Sequence, residues 1–122
     1  MKIWKIKRNL IEDAFETASI TFPKEFMCLL SGDIKTMVIN EIVVGATYTS
    51  QNSASIDLNT IPFDETIVGS IHSHPNNYCY PSKADKRFFL RYKINIIIGV
   101  GEKGCTGVYD SFGNPLPYEL ID

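Results

Sequence analysis

No stretch of the chain approaches the roughly 18 apolar residues that a membrane span requires, and its N-terminus holds no apolar core of signal-peptide length. No membrane partner is expected. Concentrated charge is equally scarce. Twelve Lys and Arg stand against 14 Asp and Glu, for a net charge of −2. The longest basic cluster, Lys5 to Arg8, is too sparse to follow a phosphate backbone, so nucleic acid is not expected as a partner. Only three cysteines occur, at Cys28, Cys79 and Cys105. An odd, small number suits a reducing compartment better than a disulfide framework, and the sequence reads as cytoplasmic. No Pro/Ser-rich linker, repeat or low-complexity run divides it, so residues 1–122 are expected to form one domain.

What is present suits that reading. The 122 residues suffice for one hydrophobic core, and an apolar share of 44% with 21% charged lies in the ordinary globular range. Leu10, Ile11, Ala14, Phe15, Ala18 and Phe22 form a helical stripe that predicts a helix over 9–22, with Asn9 and Glu12 as its start signal and Pro23 as its stop. Strands are predicted over 26–31 and 37–44 around a turn at Gly32-Asp33, over 54–58, and over 66–71 leading into His72. Pro81-Ser82 opens a second helix through about Tyr92. Ile94 to Ile98 reads as a fully buried strand. Two last strands, over 106–109 and 116–120, are expected around a Gly113-Asn114 turn. The predicted class is α/β (α+β), a mixed sheet with helices packed against it.

The chemistry concentrates in His72-Ser73-His74-Pro75, followed by Ser82 and Asp85. Residues i and i+2 of a strand share a face, so His72 and His74 present their imidazoles side by side. Two neutral imidazoles and one carboxylate are a catalytic ligand set for Zn²⁺ that leaves the fourth position open to water. Asp85, eleven residues past His74, falls in the first turn of the second helix, and a loop of that length can return it to the strand end. Hydrolysis also needs a proton acceptor. Glu25, where the first helix gives way to a strand, is the candidate, though alone it carries no signal.

The order Glu25, His72-Ser73-His74, seven residues beginning with Pro75, Ser82, two residues, Asp85 resembles the complete motif of the JAMM/MPN+ metalloproteases. Pro23-Lys24-Glu25-Phe26 before an apolar strand ending in Ser31-Gly32 is similar to compact archaeal members, and the resemblance spans about residues 8–110. It implies a curved mixed sheet flanked by helices in a single JAMM/MPN-like domain. It also implies one catalytic zinc on His72, His74 and Asp85, with Glu25 polarising the attacking water and Ser82 stabilising the oxyanion. The implied activity is cleavage of isopeptide or peptide bonds after the C-terminal glycines of ubiquitin-like modifiers or sulfur-carrier proteins. Relatives often pair, so a homodimer is compatible. By resemblance, an edge between Ser55 and Ile61 would receive the substrate tail as an added strand.

Other readings of the same residues stand beside this one. Ser82 and Asp85 are also a capping-box start for the second helix, which would need no metal. Cys79 is a loop thiol, a partner of Cys105, or a fourth ligand closing a structural site, whereas Cys28 reads as core. The stretch Gly99-Val-Gly-Glu-Lys-Gly104 matches G-x-G-x-x-G, but a strand follows it instead of a helix, so it reads as a hairpin turn. The alternative to an enzyme is a non-catalytic scaffold that binds ubiquitin-like proteins. An iron oxygenase with a two-histidine, one-carboxylate triad would order its ligands differently.

Overall fold

A computed structural model describes residues 2–43, 47–49, 54–56 and 65–122. Its elements are β1 (Trp4–Lys7), α1 (Arg8–Thr21), β2 (Met27–Asp33), β3 (Val38–Val43), β4 (Thr47–Thr49), β5 (Ala54–Ile56), β6 (Ile67–His74), α2 (Lys83–Phe89), β7 (Ile94–Gly99), β8 (Cys105–Tyr109) and β9 (Tyr118–Ile121). Seven strands form one mixed sheet in the order β8-β7-β6-β2-β3-β1-β9, while β4 and β5 pair as a separate antiparallel ribbon. No helix of the described residues is long and apolar enough to cross a membrane.

The period of two along each strand sorts the core between the two helices. From β7, Ile94, Ile96 and Ile98 pack with Leu10, Ile11, Ala14 and Ala18 of α1, joined by Phe26, Cys28 and Leu30 from the β2 side. Ile97 points the other way and packs with Phe89 of α2 and Tyr109. Each face of β7 is thus covered by a helix, which is why its sequence is an unbroken aliphatic run. His72 approaches the Phe89 ring, so the histidines of β6 lie on the α2 face.

Three sequence expectations change. The helix begins at Arg8 and its cap residue is Lys7 with no side-chain cap, so Asn9 and Glu12 lie within the helix and do not start it. The alternating residues before it form β1, burying Trp4 and Ile6. The last strand does not pair with β8; only the segment before it does, through a single bridge between Tyr109 and Pro115. It crosses to the opposite edge and runs parallel to β1, from Trp4↔Tyr118 to Lys7↔Ile121, because β1 offers an open edge there. The second helix also ends early, at Phe89. The edge expected between Ser55 and Ile61 lies outside the described residues beyond Ile56.

Asn95 fastens the C-terminal end of α2 to the sheet. Its fully buried amide donates toward the carbonyls of Phe89, Tyr92 and Asp110, and its carbonyl oxygen accepts from Ser70 at 2.6 Å. One side chain in β7 thus adds a donor to carbonyls at the C-terminal end of α2, beside the Tyr92 N–H and the Ser111 hydroxyl, and ties that end to β6. Asn95→Ala takes the acceptor from the buried Ser70 hydroxyl and one donor each from the Phe89 and Tyr92 carbonyls, which keep the Tyr92 N–H and the Ser111 hydroxyl, and is expected to lower stability by about 1–3 kcal/mol in urea denaturation. A near wild-type midpoint would show that α2 is held by other contacts.

Candidate metal centre

The antiparallel register of β2 against β6 sets Met27 opposite His72, which brings Glu25 and Phe26 beside the end of β6. Ser73, between the two histidines, secures this approach from the opposite face of the strand. Its hydroxyl accepts the Phe26 N–H at 3.0 Å and its own N–H donates to the Phe26 carbonyl at 3.0 Å. The five residues of the motif then come together. The Nε2 atoms of His72 and His74 face each other at 3.2 Å. Asp85 spans both rings, with Oδ1 at 3.3 Å from His72 Nε2 and Oδ2 at 3.4 Å from His74 Nε2. Ligand atoms of Glu25, His72 and His74 all lie within 4.8 Å of one another.

These separations test the fit to a metal. Ligand atoms about 2.0–2.1 Å from a tetrahedral zinc stand about 3.3 Å apart, which is the spacing of both imidazoles and the Asp85 carboxylate. The tautomer suits it too. His74 Nδ1 lies 2.7 Å from the Tyr78 carbonyl, an acceptor only, so Nδ1 carries the proton and Nε2 presents its lone pair. His72 Nδ1 is buried with no hydrogen-bond partner among the described residues, which leaves Nε2 as that ring's polar contact. The cluster fits one zinc ion.

Ionisation follows from the packing. Burial pushes the Glu25 carboxyl above its ordinary pKa, against the pull of the two imidazoles. Burial alone would raise Asp85 as well, but without a metal the imidazoles of His72 and His74, protonated at Nε2, and the Ser82 N–H hold it well below the carboxylate range. For His74, burial opposes protonation and is outweighed by Asp85 and the Tyr78 carbonyl, so its pKa is raised.

At Ser82 the structure shows the cap. Its Oγ accepts the Asp85 N–H at 3.1 Å, and its N–H donates to Asp85 Oδ2 at 2.9 Å, completing the capping box. Asp85 thus caps α2 and faces the histidines at once. The Ser82 hydroxyl serves the cap as an acceptor, and its proton is not part of that bond.

Several supporting residues escaped the sequence reading. The loop from Pro75 to Pro81 lies on the glycine-rich β7–β8 turn. Val100 N–H donates to the His74 carbonyl, Gly101 N–H to the Asn76 carbonyl, and the N–H groups of Lys103 and Gly104 to Asn77 Oδ1. A side chain at Gly101 would run into Asn77, so the absence of one admits the loop. Cys79 and Cys105 form a disulfide, against the expectation of reduced cysteines drawn from their odd number; it settles the pairing left open by the sequence and removes Cys79 as a ligand. The Tyr109 hydroxyl donates to the Cys79 carbonyl.

Comparison with known proteins gives a family and a fold. Residues 7–109 match the family of prokaryotic homologues of the JAB domain. A probable metalloprotease of Haloferax volcanii is 33% identical over 103 residues, covering 77% of this chain; the chain spans 64% of that protein. A JAB1/MPN domain protein from Archaeoglobus fulgidus superposes with a TM-score of 0.74 at 27% identity, covering 99% of this chain and all of the other. A structure of the JAMM metalloprotease-like zinc site in the proteasome and signalosome gives 0.73 at 27% identity, with 98% and 99% covered.

Asn77 acts on the site only through the loop that carries the Tyr78 carbonyl. Asn77→Ala is expected to weaken zinc binding about tenfold in chelator competition, whereas Asn77→Asp, which keeps the acceptor, retains it. Equal affinity in both variants would contradict this support.

Proposed function

The chain belongs to the family of prokaryotic JAB-domain homologues, and from that premise we propose that it is a zinc-dependent hydrolase. It cleaves isopeptide or peptide bonds that follow the C-terminus of ubiquitin-like modifiers or sulfur-carrier proteins. The observation that carries the reading is the convergence of His72, His74 and Asp85 at ligand spacing with Glu25 alongside.

In this reading His72, His74 and Asp85 hold the metal. Zinc, when bound, supplies Lewis acidity that lowers the pKa of water and polarises a carbonyl. Glu25 takes the proton from the water that attacks the scissile carbonyl carbon. It then delivers that proton to the departing amine nitrogen as the C–N bond breaks. Glu25 is placed for this two-way transfer by its position within 4.8 Å of the histidine ligand atoms. Ser82 directs its hydroxyl proton to the oxyanion that develops on the carbonyl. Asp85 would stay ionised as a metal ligand, with the Ser82 N–H of the cap on its carboxylate.

The test is a conjugate of a ubiquitin-like protein ending in Gly-Gly, incubated with zinc-loaded protein. Wild type is expected to cut after the last glycine. Glu25→Gln is expected to keep its zinc and lose at least about 100-fold in kcat, since only proton transfer is removed. Near wild-type turnover in that variant would remove Glu25 from the role. An uncut but bound conjugate would leave the scaffold reading in its place.

A further inference from the structure

The loop that brings the Tyr78 carbonyl to His74 Nδ1 is fastened differently on its two sides. Before Tyr78, the N–H groups of Gly101, Lys103 and Gly104 hold Asn76 and Asn77 by hydrogen bonds. After Tyr78 the next residue is Cys79, bound covalently to Cys105 at the start of β8, with the Tyr109 hydroxyl on its carbonyl. The covalent link thus lies one residue from the carbonyl that orients a metal ligand.

The packing around the sulfurs couples their bond to the position of the loop. Cys79 is buried in a cluster with Phe89, Ile97 and Tyr109, and Cys105 packs against the same cluster. Gly99 lies directly beneath, where a Cβ would collide with both sulfurs and with the Asn76 carbonyl. Two bonded sulfurs fit this space. Once unbonded, they must separate to van der Waals contact in a close-packed interior. Cys105 is held by five residue pairs between β7 and β8, so the loop is the part that yields. Cys105 is also the more exposed of the pair, and it helps to line a cleft of about 480 Å³ with the glycine-rich turn and Phe15 and Ser19 of α1. The third cysteine, Cys28, is buried in the core on the α1 face and takes no part.

We propose that the Cys79–Cys105 disulfide is a redox latch on the metal centre, worked by a dithiol that reaches Cys105. Closed, it holds the Tyr78 carbonyl on His74 and keeps the site competent for zinc. Opened, it lets the carbonyl draw away, and zinc is held more weakly. In the opening step a thiolate of the reductant attacks Cys105 Sγ, the S–S bond breaks, and Cys79 leaves as a thiolate that takes a proton from solvent. The second thiol of the reductant then attacks the mixed disulfide and frees Cys105. Two electrons have passed to the pair, and the reductant ends as a disulfide. This inference rests on the zinc site of the reading above and adds its regulation.

Zinc affinity reads the latch without any conjugate. The protein would be reduced with dithiothreitol, freed of it by gel filtration under nitrogen, and titrated with zinc against a chromophoric chelator beside the oxidised protein. The thiol count is expected to rise from one to three per chain. Zinc affinity is expected to fall about tenfold, with circular dichroism unchanged and reoxidation restoring the tighter binding. A double variant, Cys79→Ala with Cys105→Ala, is expected to show the lower affinity with or without reductant, whereas Cys28→Ala should respond as wild type does. Unchanged affinity at three thiols, a count that stays at one in folded protein, or loss of the fold on reduction would each overturn the latch. Oxidised wild type that binds no zinc would instead overturn the metal site itself.

Discussion

Two imidazole nitrogens held 3.2 Å apart, both facing one carboxylate, are the arrangement on which the rest of the structure bears. Such a group is costly to assemble in a nearly closed site, since it gathers lone pairs and charge away from water. It persists because each ring is placed by an element that cannot shift alone. The rings alternate with Ser73 on β6, and Ser73 is itself bonded to Phe26. A slip of one residue in β6 would turn the histidines to the α1 face and Ser73 to the metal.

Asp85 reaches the same point from the other side, and it does so as part of a helix cap. The capping box sets the orientation of its carboxylate before any metal is considered, and Asn95 holds the far end of the short helix to the sheet. A helix running only from Lys83 to Phe89 has little stability of its own. Its two tethers, together with Phe89 in the core, make it a rigid mount for one oxygen pair. The disulfide and the glycine-rich turn do the equivalent work for the loop that fixes the tautomer of His74.

Much of this was legible in the residues, and the limits have physical causes. The histidine pair was readable because strand alternation is local, and the Ser82–Asp85 cap because it spans four residues. The Ile94–Ile98 run announced a strand covered on both faces. By contrast, β1 is only four residues long, and its alternation runs directly into the helix, so its pattern is brief. Pairing of β9 with β1 joins the two ends of the chain, and no local signal encodes it. Asn95 and Asn77 looked like ordinary polar residues, because their partners are backbone groups far away in sequence. Gly99 to Gly104 was correctly read as a turn between strands, but its function as a bed for the metal-site loop depends on tertiary contact.

The account stands on one claim, that this constellation is a zinc site and not a cap beside two structural histidines. The most direct measurement is the metal content of the purified protein by mass spectrometry after zinc is offered and excess removed, with His74→Ala and Asp85→Ala measured in parallel. The account requires about one zinc per chain in the wild type and its loss in both variants, with all three folded by circular dichroism. Folded wild type without zinc, or variants that keep a full equivalent, would contradict it.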